Sequence, residues 1–178
     1  MVEEEEEKGK PRRLDEKDAA YLTQLDVRLN EDKVSFEDAF DRDVMVANVL
    51  SEVKLSTASA ACDRRTNGII EKLCYMSSLT HLLEFMVRFI PYGVFLARNR
   101  HSSHVLQAMI VRLCNILKSE GLGETDEDYL KTTVLQFVEP ILKEISWLSK
   151  ELCATHVLRS IFCILGGLPV ISERKVRV

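Results

Sequence analysis

Apolar residues recur along most of this chain every three to four positions, the spacing that puts them on one face of an α-helix. Between residues 17 and 30, Tyr21, Leu22, Leu25 and Leu29 share such a face, which predicts a helix. A second amphipathic stretch covers 35–53. There Phe36, Phe40, Val44 and Leu50 are spaced to meet a core, Val46, Ala47 and Val49 widen the stripe, and Ser35 with Asp38 forms a weak capping signal. Further helices are predicted over 66–76, 79–90, 101–117, 129–145 and 153–165. The stretch 79–90 is apolar nearly all round and is stopped by Pro91-Tyr92-Gly93, while Gly166-Gly167-Leu168-Pro169 stops the last helix. Met76, Phe85, Met86, Phe89, Phe137 and Phe162 are read as core, and 119–128 as a polar Gly/acid loop. No segment alternates with the two-residue period of a strand, so the expected fold class is all-α.

Within this pattern one short phrase recurs. Thr66-Asn67-Gly68-Ile69-Ile70-Glu71-Lys72-Leu73, Ser102-Ser103-His104-Val105-Leu106-Gln107-Ala108-Met109 and Ala154-Thr155-His156-Val157-Leu158-Arg159-Ser160-Ile161 superpose without gaps. Each has a small or polar pair, a variable position, two aliphatics, a polar residue and a later apolar residue. On a helix the second aliphatic and the apolar residue three positions on share the buried side, and the Ser103, His104 and Gln107 positions point together to another. Asn67 and Ser103 are 36 residues apart, Ser103 and Thr155 52. The 16 extra residues approximate the Gly/acid loop with its flanks, so the arithmetic predicts a helical unit of 36 residues with one insertion. Units that cannot bury their own faces stack into a solenoid.

Composition supports a helical chain, since 7 Gly and 4 Pro in 178 residues are few for a sheet-rich protein. Charge divides the chain. Residues 1–60 carry 16 acidic and 9 basic side chains, residues 61–178 carry 12 and 15, and 5 of those 12 acids fall in 120–128, so the rest of the apolar-rich part is basic by 8. The block 1–16 has no apolar period and reads as a disordered acidic tail, in which Glu3–Glu7 are solvated or meet a basic partner. The five cysteines at 62, 74, 114, 153 and 163 form no C-x-x-C pair and lie in or beside apolar runs, as reduced buried thiols of an intracellular protein would. No apolar run is read as long enough to cross a bilayer, and the acidic start is unlike a secretory signal. His101 and His104 have metal-ligand spacing without an evident third ligand, and Gly121-Leu122-Gly123 lies among acids that would repel phosphate. No nucleophile–base pair or carboxylate pair stands out, so neither an enzyme, a cofactor, a metal site nor a small-molecule substrate is expected.

A 36-residue unit whose helix reads x-x-aliphatic-aliphatic-x resembles a Pumilio (PUF) repeat. The resemblance is closest to the branch named for nucleolar protein nine. It rests on the opening segment Leu25-Asp26-Val27-Arg28-Leu29-Asn30-Glu31-Asp32-Lys33, on Asp43-Val44-Met45-Val46-Ala47-Asn48-Val49-Leu50-Ser51-Glu52-Val53, and on the two Ser/Thr-His-Val-Leu helices. It spans about residues 20–170 and departs from the family where Arg65, His101 and Cys153 stand in the place of an aromatic before the small pair. The resemblance implies a solenoid with a tail over 1–16, a helical cap over 17–54, three repeats over 55–170 with an acidic insertion at 119–128, and a truncated basic end over 171–178.

It also implies a ligand: single-stranded or flexible RNA, a ribosomal RNA precursor of the small subunit, in the nucleolus, alongside proteins of the pre-ribosomal particle and away from any membrane. In such repeats the second helix of each unit reads bases. Carried onto this chain, His104 and His156 take the stacking position, and Ser103 with Gln107, Thr155 with Arg159 and Asn67 with Glu71 meet base edges. Arg64, Arg65, Arg98, Arg100 and Lys150, just before these helices, are placed to meet phosphates. The same polar residues also suit plain exposed helix faces. The alternative reading is an armadillo- or HEAT-type scaffold that grips a protein.

Overall fold

The structure, a computed structural model, describes residues 9–31, 39–119 and 124–168. The described residues form ten α-helices and no strand: α1 (Glu16–Glu31), α2 (Ala39–Glu52), α3 (Thr57–Cys62), α4 (Asn67–Met76), α5 (Leu79–Phe89), α6 (Gly93–Arg98), α7 (Ser102–Ser119), α8 (Glu124–Lys143), α9 (Ile145–Leu148) and α10 (Leu152–Leu165), with a 3₁₀ turn at Ile90–Tyr92. The fold is all-α, as the periodicity predicts.

The helices repeat in threes. A short helix, a middle helix and a longer outer helix make up α3–α4–α5 and α6–α7–α8, and α9–α10 begin a third set among the described residues. Middle helix packs on middle helix, α4 on α7 and α7 on α10, while α5 packs on α8 in a parallel row. Helices α1 and α2 close the first unit by lying against α4, with α2 also on α5. Stacking of this kind buries a face that no single unit could bury alone.

All nine motif aliphatics enter that shared interior: Ile69, Ile70 and Leu73; Val105, Leu106 and Met109; Val157, Leu158 and Ile161. Phe85 and Phe89, with ring centroids 6.1 Å apart, and Phe137 fill the space between the rows. Polar fasteners tie the elements at long range. Lys72 Nζ donates to Asp26 Oδ1 and Asn30 Oδ1, both at 2.7 Å, and joins α4 to α1. The Arg88 guanidinium donates to the Leu50 carbonyl at 2.8 Å and to Thr57 Oγ1 at 3.0 Å, and also pairs with Glu84. Helix α10 ends where Gly167 takes φ +66°, and the Leu168 N–H closes back on the Cys163 carbonyl at 2.8 Å.

Several expectations need correction. The stripe of α2 is Val46, Val49 and Leu50, continued by Val53, whereas Phe40 and Val44 are exposed; Phe36 and the Ser35–Asp38 cap lie outside the described residues. Phe162 is exposed, not core. The acidic insertion over 119–128 is not one loop, because α7 runs through Ser119 and α8 begins at Glu124. The tail does not extend to residue 16: Pro11 and Leu14 are buried, α1 begins at Glu16, and only residues 1–8 lie outside the description at this end. The helical stretch Leu79–Arg98 is, by length and composition, apolar enough to cross a bilayer, contrary to the reading of the sequence. Here it is broken by the 3₁₀ turn, and it packs Phe85, Phe89 and Leu96 into the core.

Candidate nucleic-acid interface

The small pair of the motif is built into the corner between the short and middle helices. Its first member is fully buried in all three copies, as Thr66, Ser102 and Ala154. Thr66 Oγ1 donates to the Ala60 carbonyl at 2.8 Å and Ser102 Oγ to the Leu96 carbonyl at 2.9 Å, the same bond repeated 36 residues on. Helix entry is matched as well. Asn99 Oδ1 accepts the N–H groups of His101 at 2.9 Å and Ser102 at 3.2 Å, and Asp63 Oδ1 accepts that of Arg65 at 2.7 Å. The Ser102 N–H is an amide that the open end of α7 leaves bare, while Arg65 and His101 lie ahead of Asn67 and Ser102, so the other bonds shape the turns that set the rotation of α4 and α7.

That rotation places the variable positions. Asn67, Glu71, His104, Gln107 and His156 are half-buried, and Gly68, Thr155 and Arg159 are exposed. One expected contact fails this geometry: Ser103 is 3% exposed, and its hydroxyl donates to the Arg100 carbonyl at 3.4 Å. Packing explains the difference from Thr155. Helix α10 lies along α7, whereas among the described residues no further middle helix lies along α10. The same contrast runs down the helices, since Ile110 and Leu113 of α7 are buried while Phe162 and Leu165 of α10, in register with them, are half exposed. Thr155, Leu158, Arg159, Phe162, Cys163 and Leu168 line an open apolar cleft of about 420 Å³ on that side. Thr155 Oγ1 donates to the Leu152 carbonyl at 2.7 Å. The row thus offers His104 with Gln107 and His156 with Arg159 at matching positions, while Gly68 leaves the first unit without a ring there.

The cations differ in availability. Arg65 is taken up: its guanidinium reaches Glu16 Oε2 at 3.0 Å, Glu16 Oε1 at 3.2 Å and both oxygens of Asp63 at 3.2 Å. The hydrogen bonds from Arg65 hold the Glu16 and Asp63 carboxyls below the usual range. The Arg98 guanidinium carbon stacks 4.7 Å from the centre of the half-exposed Trp147 ring. Arg64, Arg100 and Lys150 are exposed and make no ion pair among the described residues. The sequence reading missed the Arg98–Trp147 stack, which joins residues far apart in sequence. It also missed Lys10, Arg12 and Arg13, exposed cations of the segment read as tail. Pro11 and Leu14, apolar residues inside that charge block, were the available signal.

Comparison with known proteins agrees with the fold. Residues 57–177 match the family described as the NOP9-like PUF repeat domain. "Nucleolar protein 9" of Penicillium rubens is 25% identical over 167 residues, covering 88% of this chain and 23% of the relative. "Nucleolar protein 9" of Meyerozyma guilliermondii is 26% identical over 163 residues, covering 86% and 22%. The chain therefore spans less than a quarter of the length of these relatives. A solved structure of APUM23 with GGAAUUGACGG superposes with a TM-score of 0.77 at 18% identity, over 90% of this chain and 29% of that one. A form of APUM23 with its insert region deleted, with the same GGAAUUGACGG, gives 0.75 at 19% identity, over 89% and 30%. At such identity the likeness is one of fold, and it is to the Pumilio type rather than to an armadillo or HEAT scaffold.

Proposed function

The chain belongs to the NOP9-like PUF repeat family, and from that premise we propose that it binds single-stranded RNA along the row formed by α4, α7 and α10. The observation that carries this reading is the shared register: three packed helices bury the same three aliphatics and turn the positions of His104 and Gln107, with their counterparts in α4 and α10, away from the core. His104 and His156 stack on bases. Gln107 and Arg159, one turn on, meet base edges; Thr155 joins them in the third unit, and Asn67 with Glu71 serve the first. Ser103 belongs to the scaffold. Arg100 meets phosphate. The names of the fungal relatives support a nucleolar site of action, and from the family resemblance we infer a ribosomal RNA precursor of the small subunit as the ligand and pre-ribosomal proteins as neighbours.

Each base stacked on a ring contributes about 1–3 kcal/mol. The double variant His104→Ala/His156→Ala is therefore expected to bind a single-stranded pre-ribosomal fragment at least about 30-fold more weakly than the unaltered chain, with unchanged helicity. An unchanged dissociation constant in a folded double variant would remove the stacking role.

A further inference from the structure

Ahead of α1 the chain does not leave the body but crosses it as a strap. Gly9 takes φ +104°, and a Cβ in its place would lie 3.8 Å from the Pro91 carbonyl oxygen. Pro11 is buried and Leu14 is 7% exposed within the core cluster, while Asp15 Oδ1 accepts the Lys17 N–H at 2.9 Å as α1 begins. With the backbone pinned at Pro11 and Leu14, the residues between and beside them, Lys10, Arg12 and Arg13, face solvent. None of the three has an ion pair among the described residues. A cleft of about 680 Å³ opens between these cations and the ends of α3 and α6, where Ser59, Asp63 and Asn99 form its other side.

The one carboxylate on that side, Asp63, is already held on both oxygens by Arg65. Asp63 is thus not available to the strap cations, of which Arg13 also feels a neighbouring carboxylate, Glu16, just outside the cleft. Asp63 and Asn99 sit in the turns that launch α4 and α7, the same turns that carry exposed Arg64 and Arg100. The strap therefore extends a basic rim beside the turns that lead into α4 and α7.

We propose that this cleft is a phosphate site, in which Lys10, Arg12 and Arg13 hold the backbone of RNA as it leaves the row of middle helices. This rests on the RNA-binding reading above and adds a second, sequence-independent contact outside the helical repeats. Three phosphates neutralised on a single strand contribute about 2 to the slope of log affinity against log salt.

The test is a salt titration of binding to single-stranded RNA by four proteins: the unaltered chain, Lys10→Gln/Arg12→Gln/Arg13→Gln, Arg12→Lys/Arg13→Lys and His104→Ala/His156→Ala, each checked for unchanged helicity. The triple glutamine variant is expected to lose about 2 from the slope, the double lysine variant to keep it, and the histidine variant to bind more weakly at the original slope. An unchanged slope in the triple glutamine variant, the result expected if protein carboxylates such as Glu3–Glu7 occupy the strap, overturns the phosphate site and leaves the helical row standing. Absence of RNA binding by the unaltered chain overturns both.

Discussion

Ser102 and Ser103 are adjacent, alike in chemistry and different in duty. Both are buried, but Ser102 bonds a carbonyl six residues back in the preceding helix, and Ser103 bonds one in its own turn. Replacing Ser102 with Ala strands the Leu96 carbonyl in the interior, a loss of about 1–2 kcal/mol. Urea unfolding is expected to show that loss as a lower midpoint, while RNA affinity of the folded protein stays the same; an unchanged midpoint would deny the hydroxyl its structural role. At this scale the periodicity made the aliphatic positions legible, because burial follows from helical spacing alone. The fate of a small hydroxyl was not legible, since it depends on which carbonyl the neighbouring helix brings within reach. The cysteines follow the same logic: desolvation pushes the Cys62 thiol up to about 11 and Cys74 higher still, so both remain protonated in the folded core at neutral pH.

Between elements, the outer row is joined by side chains as well as by apolar packing. His81 Nδ1 on α5 lies 2.8 Å from Asp43 Oδ1 on α2, and Ser78, the residue just before α5, also hydrogen-bonds Asp43. The Ser78 hydrogen bond, aided by His81, holds the Asp43 carboxyl below the usual range. A carboxyl depressed in the folded state adds stability above its unfolded value and loses it as pH falls through the folded one. The unaltered chain should thus lose more stability than Asp43→Asn between about pH 5 and pH 3. The difference should be on the order of 0.5 kcal/mol, because the pair is partly exposed and screened. Parallel losses in acid unfolding of the two proteins would contradict the link. The long helices were all foreseen, their ends shifting by a few residues. Helices α3, α6 and α9, of 6, 6 and 4 residues, were not, because so few turns give no period to read. The acids of 124–128 suggested a loop, yet acids are also what a helix favours in its first turn.

For the whole molecule, the 36-residue spacing was legible as stacking, whereas the reason for the longer second interval was not. The additional residues lengthen α7 to 18 residues and α8 to 20, against 10 and 11 for α4 and α5. Stacking also predicts opposite responses at register-matched sites. Ile110→Ser, in a covered face, should cost about 2–4 kcal/mol, while Phe162→Ser, half exposed among the described residues, should cost less than about 1 kcal/mol. Equal losses in thermal unfolding would break the register.

The central claim is that the middle helices form the RNA-bearing row, and photocrosslinking tests it most directly. Single-stranded RNA carrying 4-thiouridine is bound, irradiated and digested, and the modified peptides are identified by mass spectrometry. The account predicts adducts on the segments of α7 and α10 that hold His104 and His156. Adducts confined to the outer helices α5 and α8, in a complex that forms at low salt, would contradict it.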